Sequence, residues 1–237
     1  MTSAATTDPT ARWRRPAPTW LSATVLGLWA VVLAGAVAPF GWHCCSRRPG
    51  ANESTTISRL RALAAAQAQV REQARIDRDG DGVGEFGLCG ELAGVVPWRT
   101  GPTAVVTPPL LGPSWRDLDD GCVVIAGYRL RCCLRDRDGV WRAELGRGGA
   151  GEGTIDADAA EQGFVCHAWP ESPGVSGRRS FLVDASGVVW ATVADAPPFG
   201  AGREPVPGRA GCALPGAGAV PAADFVDGDG VRWFRVE

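Results

Sequence analysis

The longest apolar stretch runs from Trp20 to Phe40, 21 residues without a charge. At about 1.5 Å per residue such a helix covers roughly 30 Å, the thickness of a bilayer's hydrocarbon. The pattern predicts a transmembrane helix over 20–42, with Trp20 and Trp42 in the two headgroup layers. Arg12, Arg14 and Arg15 before it outnumber Arg47 and Arg48 after it, which places residues 1–19 as a cytoplasmic tail. Ala36-Val37-Ala38 has the small-x-small form of a cleavage site, but Pro39 follows it, so the expectation is an uncleaved signal-anchor. Residues 43–51 read as a linker, with Pro49 and Gly50 ending the membrane helix. A second periodicity follows. Ile57, Leu60, Leu63, Ala64, Gln67, Val70 and Ala74 recur at helical spacing, Asn52 is a good N-cap, and Glu53 suits the positive end of the dipole. This predicts a helix over 52–76 with one narrow apolar stripe.

Beyond it the chain turns to β patterning. Cys122 to Leu134 reads as a strand, and with Val140 to Leu145 it makes a hairpin around Asp136–Gly139. Phe181–Asp184 and Val188–Val193 flank Ala185-Ser186-Gly187, a second hairpin with Gly where positive φ is needed. Phe164–Trp169 and Val231–Val236 supply two more strands, whereas 196–223, rich in Pro and Gly, reads as an irregular connection. The expected fold class is α+β: an N-terminal transmembrane helix, then an amphipathic helix packed on an antiparallel sheet in an extracytoplasmic domain over 52–237.

Charge adds an exclusion. All 24 cations are Arg, but the net charge is −2 and no basic patch stands out, so nucleic acid is not an expected partner. Cysteine adds a compartment. Six of the eight (Cys89, Cys122, Cys132, Cys133, Cys166 and Cys212) fall in the region placed outside the cytoplasm, where disulfides are permitted and 15 pairings are open. Cys132 and Cys133, adjacent in a strand, should face opposite ways and not bond each other.

Asp77, Asp79, Asp81 and Gly82 match the first half of an EF-hand-type loop, in which carboxylates at positions 1, 3 and 5 converge on one cation. Position 12 is Leu88, so the bidentate Glu is missing, and Glu85 with the Val83 carbonyl would have to complete the set. Two readings stand: a weak Ca²⁺ site, or a solvated Asp/Gly turn. His167, in a strand pattern, and Cys166 beside it point to opposite faces and cannot form a dyad by adjacency. No G-x-S-x-G, C-x-x-C or phosphate loop is present, and the expectation is a non-enzymatic protein. Trp98, Trp115, Trp141, Trp169, Trp190 and Trp233 read mainly as core, with a ligand-stacking platform as the alternative.

The layout resembles type IV pilins and type II secretion pseudopilins. The likeness is carried by NESTTISRLRALAAAQAQ at 52–69, DRDGDGVGEFG at 77–87, Gly90-Glu91-Leu92, GYRLR at 127–131, Ala168-Trp169-Pro170 and SGRRSFLVDASGVVWAT at 176–192. The prepilin peptidase site of that group is missing: the approach to the span, RRPAPTWLSATVLGL, has no Gly-Phe and no Glu. The resemblance implies a membrane-anchored pilin-like protein with an interaction or envelope- and secretion-assembly role, other pilin-like or envelope proteins being its partners. A surface ligand-binding module is the alternative.

Overall fold

The computed structural model describes residues 49–100, 105–151, 154–193, 224–226 and 230–237. Its dominant element is one antiparallel sheet of nine strands: β1 (Leu118–Asp119), β2 (Cys122–Ile125), β3 (Tyr128–Arg135), β4 (Trp141–Ala143), β5 (Val165–Pro170), β6 (Phe181–Asp184), β7 (Val189–Thr192), β8 (Phe225–Val226) and β9 (Arg232–Arg235). The spatial order is β1-β2-β3-β5-β6-β7-β9-β8, with β4 also paired to β3. Helices are few among the described residues: α1 (Pro49–Glu72), α2 (Cys89–Leu92) and α3 (Ala157–Gln162), with one 3₁₀ turn at Pro113–Trp115.

This architecture corrects the expected fold class. The described chain is dominated by one large antiparallel sheet with few helices, and α1, which covers one face of it, is not preceded by a transmembrane helix among the described residues. No helix among the described residues is long and apolar enough to cross a membrane. The transmembrane and signal-anchor assignments therefore find no support; residues 20–42, on which they rested, lie outside the described residues, as does the connection at 196–223. α1 has the length, but Arg59, Arg61 and Arg71 and a polar inner face that includes Asn52, Glu53, Thr56 and Gln67 suit it to water and protein.

Two local boundaries also move. Pro49 and Gly50, expected to interrupt the chain, belong to α1, since a proline in a first turn forfeits no helical hydrogen bond. Asn52 is then inside the helix, and its Nδ2 donates to the Ser176 carbonyl at 2.8 Å instead of capping. Helix α1 stops earlier than expected because Ala74 takes φ +43 and the Arg75 N–H bonds back to the Val70 carbonyl. The long strand expected over 122–134 is two strands. Ala126 and Gly127, at φ +53 and +76, make a two-residue reversal of the kind that joins antiparallel strands, placing Ile125 opposite Tyr128.

Alternation along the strands sorts the core into two faces. Val123, Leu130, Cys132, Cys166, Phe181, Val183 and Ala191 meet Leu60, Leu63, Ala66 and Val70 of α1 in one cluster. The opposite face carries Cys122, Cys133, Val165, Trp169, Leu182, Trp190 and Trp233. Gln67 closes the α1 side: its Nε2 donates to the Gly87 carbonyl at 2.7 Å and its Oε1 accepts from the Gly87 N–H at 2.8 Å, fully buried. Glu53 anchors the other end, accepting from the Arg178 N–H (2.9 Å) and Arg179 N–H (3.2 Å) and pairing with the Arg179 guanidinium at 2.8 Å.

Candidate functional site

The acidic loop after α1 folds around its own carboxylates. Asp77 accepts from the Gly80 and Gly82 N–H groups at 2.8 and 3.1 Å, and Asp81 accepts from the Val83 N–H at 2.7 Å. Gly80 and Gly82 sit at φ +75 and +88, which the reversal demands and a side chain would resist. Carboxylate oxygens of Asp77, Asp79 and Asp81 lie within 4.8 Å of one another. Val83 is beside them and exposed. Glu85 is not: it is fully buried, with Oε1 accepting from the Arg78 N–H at 2.9 Å and Oε2 from Arg99 at 3.3 Å. The structure thus brings three of the five sequence-derived ligands together and turns the fourth carboxylate inward.

Two carboxylates that sequence reasoning missed stand nearby. Asp158 and Glu161, on α3, form a second group with Asp79, again within 4.8 Å. Burial, and then the negative charges of Asp81, Asp79 and Asp158, raise the Glu161 carboxyl above its ordinary range. Its Oε1 is buried and has no hydrogen-bond partner. Helix α3 was legible in principle, because Asp156 caps it by accepting from the Ala159 N–H at 3.1 Å. Nothing in that local signal says which loop it faces. A cavity of about 660 Å³ opens alongside, lined by Arg78, Asp79, Arg137 and Ile155 to Asp158. Oxygen donors of this type suit a hard cation such as Ca²⁺. Asp77, Asp79 and Asp81 would hold it, with Asp158 and Glu161 at the rim.

Inward from the loop lies a network of buried charge. Arg99, its side chain 10% exposed, bridges Glu85 at 3.3 Å and Glu91 at 3.6 Å and donates to the Phe86 carbonyl at 2.6 Å. Glu91 receives the Leu88 N–H at 2.7 Å, and burial raises its carboxyl although Arg99 opposes the shift. Glu144 accepts the Gly90 N–H at 2.6 Å and the Gly149 N–H at 3.0 Å through Oε1, while Oε2 has no hydrogen-bond partner. Burial is the main reason that its carboxyl stays protonated well above the usual range, and Cys89 and Glu91 push the same way. A second cavity, about 340 Å³, lies between Arg78, Glu91, Val96, Pro97, Arg99 and the glycine loop Gly148–Gly151.

The remaining candidates are interior. His167 is 2% exposed and meets Trp233 edge-on, at 6.3 Å between ring centres. Trp115, Trp169, Trp190 and Trp233 are fully buried and Trp141 nearly so, so they serve the core and offer no outward stacking platform; Trp98 is half-buried, its Nε1 donating to the Glu91 carbonyl at 3.2 Å. Cys132 and Cys133 do face opposite sides of the sheet. Comparison with family models, with curated proteins and with solved structures finds no match. The pilin likeness accordingly rests on the residues of the chain alone.

Proposed function

We propose that the chain is a non-enzymatic, pilin-like interaction domain with an envelope- or secretion-assembly role, its docking element the outward face of α1 and its acidic loop steadied by Ca²⁺. One observation carries the docking role. The exposed positions of α1 include Ala51, Ser54, Thr55, Ser58, Ala62, Ala65 and Ala68, a line of small side chains with helical spacing on a helix held rigidly from behind by Gln67 and Glu53. Small side chains let a second helix approach closely, and a rigid support lowers the ordering cost of binding. The pilin-like wording of 52–69 falls on this same helix.

Photo-crosslinkers placed at Ala62 and at Ala65 in the full chain test the docking role, with Val124, an exposed position on β2, as control. Intermolecular crosslinks mapped to a helix of a second copy or of another pilin-like chain, absent from the Val124 control, are expected. Equal crosslinking at all three positions would end the proposal. For the cation, calorimetric titration of the full chain should show saturable Ca²⁺ binding in the extracellular-module range, roughly 10⁻⁴ to 10⁻³ M. Asp79→Asn, which alters the carboxylate shared by both acidic groups, should weaken it at least tenfold; no heat and no thermal shift would remove Ca²⁺ from the proposal.

A further inference from the structure

Cys89, Cys132 and Cys166 converge on the α1-covered face of the sheet, each no more than 1% exposed. Cys132 on β3 is directly opposite Cys166 on β5, and Cys89, the first residue of α2, lies over them. The Sγ atoms of Cys89 and Cys132 are 2.7 Å apart, well inside van der Waals contact though longer than the roughly 2.05 Å of a sulfur–sulfur bond, and both stand as thiols in the structure. Directly opposed strand residues have Cβ atoms about 4.5–5.5 Å apart, wider than most disulfides accept, which disfavours the Cys132–Cys166 alternative.

We propose that Cys89 and Cys132 form a disulfide in the core, with Cys166 retained as a free thiol against it. The oxidant is a disulfide of the thiol-oxidase class, acting while the chain folds. One protein thiolate attacks the acceptor's disulfide to give a mixed disulfide and release one thiol. The second protein sulfur then displaces the other, so two protons and two electrons leave the protein and the acceptor departs as two thiols. The bond would close a connection of 43 residues in which the stretch from Ala93 to Asp117 contains only one 3₁₀ turn among its described residues. A loop of that length gains much from closure, because the unfolded chain loses the freedom that the native sheet never had. It would also pin α2, whose Glu91 and Gly90 belong to the buried carboxylate network, to the centre of the sheet.

The test uses the full chain, produced in an oxidising compartment, denatured in the presence of an alkylating agent without reductant, digested, and fragmented so that Cys132 and Cys133 are told apart. The expected result is a Cys89–Cys132 crosslinked peptide that disappears on phosphine treatment, with Cys166 recovered alkylated. Reduction should lower Tm by on the order of 10 °C. Recovery of Cys89 and Cys132 both alkylated without reduction would overturn the proposal, and so would a link from either to Cys166 or any other cysteine. Cys166→Ala should retain the crosslink, and its loss there would count equally against the assignment.

Discussion

Glu144 offers the sharpest test of how this interior is held together. Its Oε1 is the acceptor for two backbone donors, Gly90 on α2 and Gly149 on the glycine loop, while Oε2 bonds to nothing. Glu144→Ala leaves both N–H groups without that acceptor. A buried unsatisfied donor costs about 1–3 kcal/mol, and half-buried Gly149 can recover part of its share from water, so a loss of about 2–4 kcal/mol is expected. For a domain of this size that is a fall in Tm of roughly 5–15 °C. Glu144→Gln keeps the accepting oxygen in place and should cost less than about 1 kcal/mol at pH 5.

The pH dependence has a definite sign. Burial raises the native Glu144 carboxyl well above its ordinary value, so the folded state holds a proton that the unfolded state has released. The stabilisation is therefore complete below the unfolded carboxyl pKa of about 4.3, and stability falls as pH climbs from there through the native pKa. Each unit of that upward shift corresponds to about 1.4 kcal/mol by neutral pH. The Gln variant has no such proton to lose. Urea unfolding at pH 5, 6, 7 and 8 should show Glu144→Gln overtaking the native chain as pH rises, with a shallower but not flat profile, because Glu91 is raised by burial in the same sense. Parallel profiles for the two proteins, or Ala and Gln variants of equal stability, would refute the reasoning.

Three further outcomes follow from the packing. Gln67→Leu removes both partners of Gly87 in a fully buried position and should cost about 2–4 kcal/mol by denaturant unfolding, whereas exposed Gln69→Leu should change stability by less than about 0.5 kcal/mol. Gly177→Ala would drive its Cβ into the ring and hydroxyl of buried Tyr128, whose Oη donates to the Arg179 carbonyl at 2.9 Å; a loss of about 2 kcal/mol or more and a changed near-ultraviolet dichroism are expected. Glu53→Ala should cost about 1–3 kcal/mol, since it orphans the Arg178 and Arg179 N–H groups, while Glu53→Gln should cost about 1 kcal/mol or less because Arg179 is one-third exposed and its charge is screened.

Much of the local structure was legible from spacing. Val, Ile and aromatic alternation located β5, β6, β7 and β9, while Asp136–Gly139 marked the reversal from β3 to β4 and Ala185–Gly187 that from β6 to β7. The turn at Ala126-Gly127 escaped notice because Ala at positive φ carries no compositional warning, and one apparent strand concealed two. The start of α1 was misplaced for a related reason. Pro49-Gly50 reads as a break in any sequence, and Asn52 and Glu53 read as a cap and a dipole partner until their long-range partners, Ser176, Arg178 and Arg179, are known.

Residue order alone therefore determined the elements whose cause is local: the period of an amphipathic helix, the alternation that sends Cys132 and Cys133 to opposite faces, and the Asp/Gly reversal that gathers Asp77, Asp79 and Asp81. Only the tertiary structure decided the rest. Nine strands joined into one sheet, Glu85 turned away from the acidic loop to meet Arg99, Asp158 and Glu161 arrived beside Asp79 in its place, and Cys89 came to rest on Cys132. Apart from the hairpin pairs of the sheet, each of these brings together groups more than ten residues apart, several of them more than forty, and such pairings depend on which buried charges can be satisfied and which apolar faces can be covered together. A short window of sequence holds one partner at a time and cannot weigh that choice.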